Sequence, residues 1–450
     1  MRSLRVVAVG CAALFVLSGC SATSAGPGDT SFTDKATGTL NAWGFDNADD
    51  VGTSRLDYAK EQLSDVTIKV DATAFDAQKF TTRSASGNVP DVVQMDRNFV
   101  ATYAAQGLIL PLDECYSVHD VDPEQRYYES VVGDITWDDQ VWAVPQFYQP
   151  PAIMLNTRVM QAAGVDPSAI DTSKPDELLA AVKKMYKESG GVPTLLGLDP
   201  VAPSQAGLWL LGMGGNIIGD DGKPTLDSEE NAQAVDFLTE LLDAQGGYAK
   251  VKSFSDSFDT FGDQNQFVAD QVAAQVDAQW YVNVLTPYVG KVQIGAVPFK
   301  DPDGEPFTVA SGTAFVIPAA AKNKDAACAW ALELTSSDAW EAAGAARAQT
   351  VADTPGAINT GLFTGSPAAD ESIREQYVKP SGDAGFDQTI STFYDVVGNG
   401  KSFGASPAGQ EIQSELQNAL TSAFLGDKSS SEALKDAQDA AMRAYDRVVK

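Results

Sequence analysis

The chain has 450 residues, 44% of them apolar and 20% charged, with 31 basic against 61 acidic side chains and a formal net charge of −30. That length fits two or three domains, and the apolar share is ample for full cores, so a wholly disordered chain is excluded. No Lys/Arg cluster offers the phosphate-tracking groove that nucleic acid requires, and a single histidine, His119, removes His-based metal sites and Ser-His-Asp or Cys-His chemistry from consideration.

The N-terminus reads as an address. Arg2 and Arg5 precede an apolar run over 6–17. The run is too short for a permanent membrane span, which needs about 20 residues, but has the size of an export-signal core. It ends in Leu17-Ser18-Gly19-Cys20, which resembles the lipobox of bacterial lipoproteins. That resemblance implies a signal peptide over 1–19, lipidation of Cys20, and a place on the extracellular face of the cytoplasmic membrane. Two or more acyl chains anchor stably where one is marginal. The leader carries two arginines and no acid, so its loss takes the charge from −30 to −32. Residues 20–36 then read as a lipidated cysteine on a flexible polar tether, reaching roughly 20 Å on random-coil scaling. Two cysteines remain, Cys115 and Cys328. An oxidising compartment allows them to pair; two separate buried thiols are the other reading.

Beyond Thr37, spacing predicts strands over 39–43, 66–70 and 90–94, with helices over 55–63 and 75–85 between them. This is the βαβαβ pattern of an open α/β sheet, in which ligands sit beyond the carboxyl ends of strands. The rule points to Trp43 with Gly44, and to Asp96. A second βα-like region spans 152–284, with helices over 175–187 and 231–242 and a turn at 220–223. The tail, 431–448, is one amphipathic helix whose start, Ser430-Ser431-Glu432, supplies N-cap candidates.

The motifs have an order of their own. Pro90-Asp91-Val92-Val93 is followed by Tyr103-Ala104-Ala105-Gln106-Gly107-Leu108-Ile109 and Pro111-Leu112-Asp113, then Val141-Trp142-Ala143-Val144-Pro145 with Leu155-Asn156. Ala162-Ala163-Gly164-Val165, Asp220-Asp221-Gly222-Lys223, the stretch 267–280 ending at Trp280, Ser311-Gly312 and the tail 432–438 come after. Over 37–450 this series resembles the extracellular sugar-binding proteins of ABC importers, of the maltose/oligosaccharide-binding kind. The resemblance implies an α/β, two-lobed periplasmic-binding-protein fold with a ligand cleft between the lobes and a hinge crossed more than once. Lobe one would be 37–147 plus 300–317, and lobe two 148–299 plus 318–450. Lys174-Pro175-Asp176-Glu177 departs from the family's Trp-x-Glu, which shifts that helix start.

A sugar presents hydroxyls around its rim and apolar C–H faces, so its site needs aromatic platforms with a few carboxylate, amide or backbone partners. Trp43, Trp209 and Trp280 are the candidate platforms, with Tyr148 and Gln149 just past the hinge proline. Asp96 and Asp277 are candidate hydroxyl acceptors, and Gly44 and Ser311-Gly312 allow close backbone approach. Trp142 and Trp330 read as core, and His119 as a surface residue among acids. Residues 43–50, 144–156 and 277–284 carry no basic side chain, with Arg97 the exception near a strand end. The expected ligand is therefore a neutral oligosaccharide, bound by a monomer without cofactor or metal and delivered to ABC permease subunits. A secreted glycosidase using a carboxylate pair is one alternative, and a same-fold binder of a polyol or other solute is another. No nucleophile elbow, phosphate loop or His-rich metal motif is present to favour an enzyme.

Overall fold

Strands and helices alternate from Gly38 onward in the computed structural model, which describes residues 31–45, 48–200 and 207–449. The first run is β1 (Gly38–Trp43), α1 (Asp50–Gln62), β2 (Val66–Asp71), α2 (Ala77–Ala85) and β3 (Val92–Asp96), as the spacing predicts. The chain continues to β4 (Val144–Pro145) and crosses into β5 (Pro151–Asn156), then α3 (Pro175–Met185), α4 (Gly207–Gly212), α5 (Glu229–Asp243), β6 (Ala274–Ala278), α6 (Tyr281–Leu285) and β7 (Ile294–Val297). It returns through β8 (Pro306–Val309) and β9 (Thr313–Val316) to α7 (Lys324–Leu334), α8 (Ser337–Asp353) and α9 (Pro367–Tyr377), and ends with α10 (Ala384–Val397), β10 (Gly400–Lys401), α11 (Gly409–Phe424) and α12 (Ser430–Val448).

Capping chemistry moves several boundaries from their predicted places. Asp49 accepts from Gly52 N at 2.7 Å, so α1 starts five residues before the first apolar repeat. At the tail the cap is Ser429, closed by Glu432 in a reciprocal capping box, one residue earlier than expected. The third strand runs over 92–96 and not 90–94. Pro90 has no N–H to give a ladder, and the buried Asp91 carboxylate accepts from Asn41 N (2.8 Å), Lys322 N (3.0 Å) and Asn323 N (3.0 Å). It thereby ties β1 to the chain entering α7.

Two sheets result. The first has the order β2-β1-β3-β9-β4; β1 is parallel to β2 and β3, and β9 is antiparallel to β3 and β4. The second, β6-β5-β7, is antiparallel throughout, which the βα-like reading of 152–284 did not foresee. Residues 196–199 run parallel beside 272–275 through isolated bridges. Between the sheets the chain passes at 146–150, at 310–312, and between α9 and α10.

The division of the chain between lobes differs from the expected one. α7 packs against β1 and α1, α8 against α1, and α9 against α8, so the stretch from 318 to the end of α9 belongs with lobe one. From α10 onward the chain, with β10, α11 and α12, joins lobe two, β10 pairing with β8. β8 also stays with lobe two, where Thr308 Oγ1 donates to Pro151 O at 2.8 Å, so of 300–317 only the end enters the first sheet. The physical reason is that β9 is inserted between β3 and β4, and the helices that follow it cover the same sheet.

The predicted signal peptide and Cys20 lie outside the described residues. The end of the expected tether does not hang free. Phe32 is buried, and Thr33 donates to Asp325 through both its N–H and its hydroxyl at 3.0 Å, docking the segment on the start of α7. Among the described residues no helix is long and apolar enough to cross a membrane.

The cysteine question closes in favour of pairing. Cys115, in a short helix (Asp113–Val118), is bonded to Cys328 of α7 across 213 residues of sequence, and both are fully buried. Closing so long a loop restricts the unfolded chain, so Cys115→Ser with Cys328→Ser is expected to lower stability by about 2–5 kcal/mol. Guanidinium melts of the oxidised protein and the double variant measure this; coincident midpoints would show that the bond does not constrain the unfolded state.

Candidate functional site

A cavity of about 320 Å³ lies where the two sheets face each other. Lobe one contributes Asp96, Arg97 and Asn98 at the carboxyl end of β3, with Asp134 from a short helix (Glu129–Ile135). The crossings contribute Gln149 and Val309 to Gly312. Lobe two contributes Leu208, Ile218, Asp277 and Trp280, and the loop 403–406 closes one side.

Arg97 organises the floor. Its side chain is 2% exposed. Nε donates to Asp134 Oδ2 at 3.3 Å, Nη1 to Phe147 O at 2.6 Å and Thr313 O at 3.4 Å, and Nη2 to Ala310 O at 2.6 Å. The first and last of those carbonyls belong to chain segments crossing in opposite directions. Gln149 N donates to Ser311 O at 2.8 Å and Ser311 Oγ to Gln149 O at 2.7 Å, which zips the crossings together. A Cβ at Gly312 would overlap Phe147 O and sit 2.7 Å from Arg97 Nη1, so only glycine fits.

The carboxyl groups are shaped by this environment. Burial raises the pKa of Asp96, opposed by Arg97. Burial likewise raises that of Asp134, opposed by Arg97 and by the hydroxyl of Ser402. Asp277 is pushed up to about 7 by burial, opposed by Ala278 N–H at 2.8 Å and Gln275 Nε2 at 2.9 Å. Arg97 is the one cationic side chain among the lining residues, and four of its contacts are internal. Among the described residues the cleft therefore offers hydroxyl acceptors, amides and apolar faces, with no cation free to meet an anion.

Six of the candidate residues line this cavity: Asp96, Gln149, Asp277, Trp280, Ser311 and Gly312. Four do not. Trp43 is 1% exposed; its ring packs on Phe75 at 5.6 Å and its Nε1 donates to Thr73 Oγ1 at 3.2 Å, so it belongs to the core beneath α2. Gly44 has φ +93 and lies against Gln94, outside the cavity lining. Tyr148 is fully buried and edge-on to Tyr128 at 5.6 Å; alternation along the extended crossing sends Gln149 into the cleft and Tyr148 inward. Trp209 points away from the cleft face that Leu208 supplies, donating to Pro200 O at 2.8 Å and meeting Phe299 at 5.0 Å. Trp142 and Trp330 are buried as expected, and His119 is half-buried at the end of its helix.

Asn98, Asp134, Phe403 and Gln413 were not anticipated. Asn98 lies two residues beyond Asp96, within reach of the strand-end rule. Phe403 sits in the glycine-bearing stretch 398–404, whose small residues mark a loop, but nothing local assigns that loop to the cleft.

A carboxyl whose pKa is raised in the folded state contributes stability that is fully present below its unfolded value, near 4, and lost as pH rises through about 7. Relative to Asp277→Asn, the wild type is thus expected to lose stability between about pH 4 and pH 7. Thermal melts of both proteins across that window test this, and a constant difference would place the Asp277 carboxyl in solvent.

No curated protein matches the chain. Solved structures similar to it include an ABC transporter solute-binding protein from Thermotoga lettingae bound with alpha-D-tagatose, at 20% identity and TM-score 0.68, covering 91% of this chain and 100% of that one. The GacH receptor of Streptomyces glaucescens, solved unliganded and with acarbose, is 19% identical with TM-score 0.67, covering 92% and 99%. The sugar-binding protein MalE from Xanthomonas citri is 16% identical with TM-score 0.67, covering 91% and 98%. These likenesses show a two-lobed binding-protein fold. The model of the bacterial extracellular solute-binding protein family matches residues 51–339, more than half of the chain, and the chain belongs to that family.

Proposed function

We propose that the protein captures a neutral carbohydrate, most simply an oligosaccharide, outside the cytoplasmic membrane and passes it to the permease of an ABC transporter as the lobes close about their crossings. The observation that carries this reading is the chemistry of the cleft. The Trp280 ring stands with Asp96, Asp277, Asn98 and Gln149 as hydroxyl partners, while the one guanidinium is taken up by Asp134 and main-chain carbonyls. Relatives of the same fold described with tagatose and with acarbose support it. The protein acts as a monomer without cofactor, held to the membrane by lipid on Cys20.

Calorimetric titration with neutral saccharides is the test. Trp280→Ala is expected to weaken binding by about 1–3 kcal/mol, the scale of a lost aromatic contact. Affinity for neutral sugars should change little with ionic strength, since no net charge is lost on contact. A preference for uronic or phosphorylated sugars that falls steeply with salt would overturn the neutral-ligand reading. Release of new reducing ends would instead show a glycosidase.

The anchor has its own test. Cys20→Ser is expected to abolish lipid labelling and release the protein into the medium, and equal membrane retention of the variant would refute the lipoprotein assignment.

A further inference from the structure

Phe261 is 75% exposed, and among the described residues it is the one aromatic in the exposed large-hydrophobic class; the others are Val192, Val289, Leu425 and Val449. Leaving an aromatic ring in water forgoes its burial energy, so its surroundings bear on why it stays there. The ring stacks on Trp280 with centroids 5.9 Å apart and planes 25° from parallel. Trp280 is itself edge-on to Tyr281 at 5.6 Å and lines the cleft. Aromatic surface therefore continues from the cavity wall to the outside of the molecule.

The loop carrying Phe261 is held on both sides. Tyr281 Oη donates to the carbonyl of Thr260 at 3.5 Å, and Tyr288 Oη to the carbonyl of Gly262 at 3.2 Å. Both tyrosines come from the segment that begins at Trp280, so the two rings are fixed by one local framework. Asn265 Nδ2 adds a bond to Gly262 O at 3.3 Å. A ring displayed at a pinned position loses little freedom when something stacks on it, which is how a platform gains affinity.

We propose that Phe261 and Trp280 form one stacking ledge at the mouth of the cleft, and that the ligand is a saccharide longer than the cavity encloses. One sugar ring lies within, against Trp280, and a following ring rests outside on Phe261. This rests on the carbohydrate reading above and adds chain length to it. Phe261 is then a residue that sets specificity for length and takes no part in holding the enclosed unit.

The test is calorimetric titration of the full chain and of Phe261→Ala and Phe261→Trp with neutral α-linked glucose and β-linked mannose oligomers, from disaccharide to hexasaccharide. For any series the wild type binds, Phe261→Ala is expected to lower affinity for the longer members by about tenfold, the scale of one aromatic stacking contact. Disaccharide affinity should change less than twofold, and Phe261→Trp should keep the length dependence. An equal loss at every length, or none at any length while the wild type binds, would overturn the ledge and leave the carbohydrate reading standing; in the second case the exposed ring would be assigned to a protein contact. Failure of the wild type to bind any member would overturn the carbohydrate reading itself.

Discussion

A guanidinium withdrawn from water persists only where its donors find acceptors, and at Arg97 those acceptors are largely the chain's own crossings. Phe147 O and Ala310 O lie on segments running in opposite directions between the sheets, and Asp134 supplies the countercharge. Asp134 in turn takes the hydroxyl of Ser402, just before the loop that closes the cleft. One side chain thus joins β3, two of the three crossings and, at one remove, a loop beyond β10. The cavity-lining residues Asp96 and Asn98 flank it in sequence, so the constraint that orders the crossings also sets where the cleft begins.

A second buried guanidinium works on the same crossing from the other side. Arg55 of α1 lies 3.8 Å from the Trp340 ring centroid, with Phe147 at 5.1 Å and Phe45 at 5.4 Å, and donates to Gln146 Oε1 at 3.0 Å. Burial pushes its pKa down to about 9. Gln146 passes the contact on to Gln94 of β3 at 2.8 Å. In a chain so short of basic residues, two arginines are held in the interior around one crossing. That placement, together with the acidic balance of the sequence, leaves the cleft lined by carboxyl groups and amides.

The strand–helix alternation of lobe one was legible because each strand shows its period and each helix a cap or an apolar repeat. Trp280 and Trp43 show what was not. Trp43 ends a strand and Trp280 lies two residues beyond one, and in the sequence they look alike as platforms. Trp43 is covered because α2 and the Phe75–Phe80–Tyr103 cluster close over it, and that packing depends on residues 30 to 60 positions away. The misplacement of 318–377 has a similar origin. Which sheet receives α7 is decided by the Asp91 carboxylate and by the insertion of β9 between β3 and β4, neither of which leaves a periodic trace. The family resemblance supplied the architecture and the crossing near Pro145, while the loop at 403–406 reaches the cleft from beyond any motif.

The bond between Cys115 and Cys328 encloses β4 to β9, and with them the whole of the second sheet. In an oxidising medium that sheet is part of a covalent ring strung from lobe one. A protease that cuts within the ring, for example beside the exposed Phe261, severs the chain but does not divide the molecule. The two fragments stay in one particle until a reductant reaches the buried sulfurs, so a nicked protein outside the cell keeps both walls of its cleft.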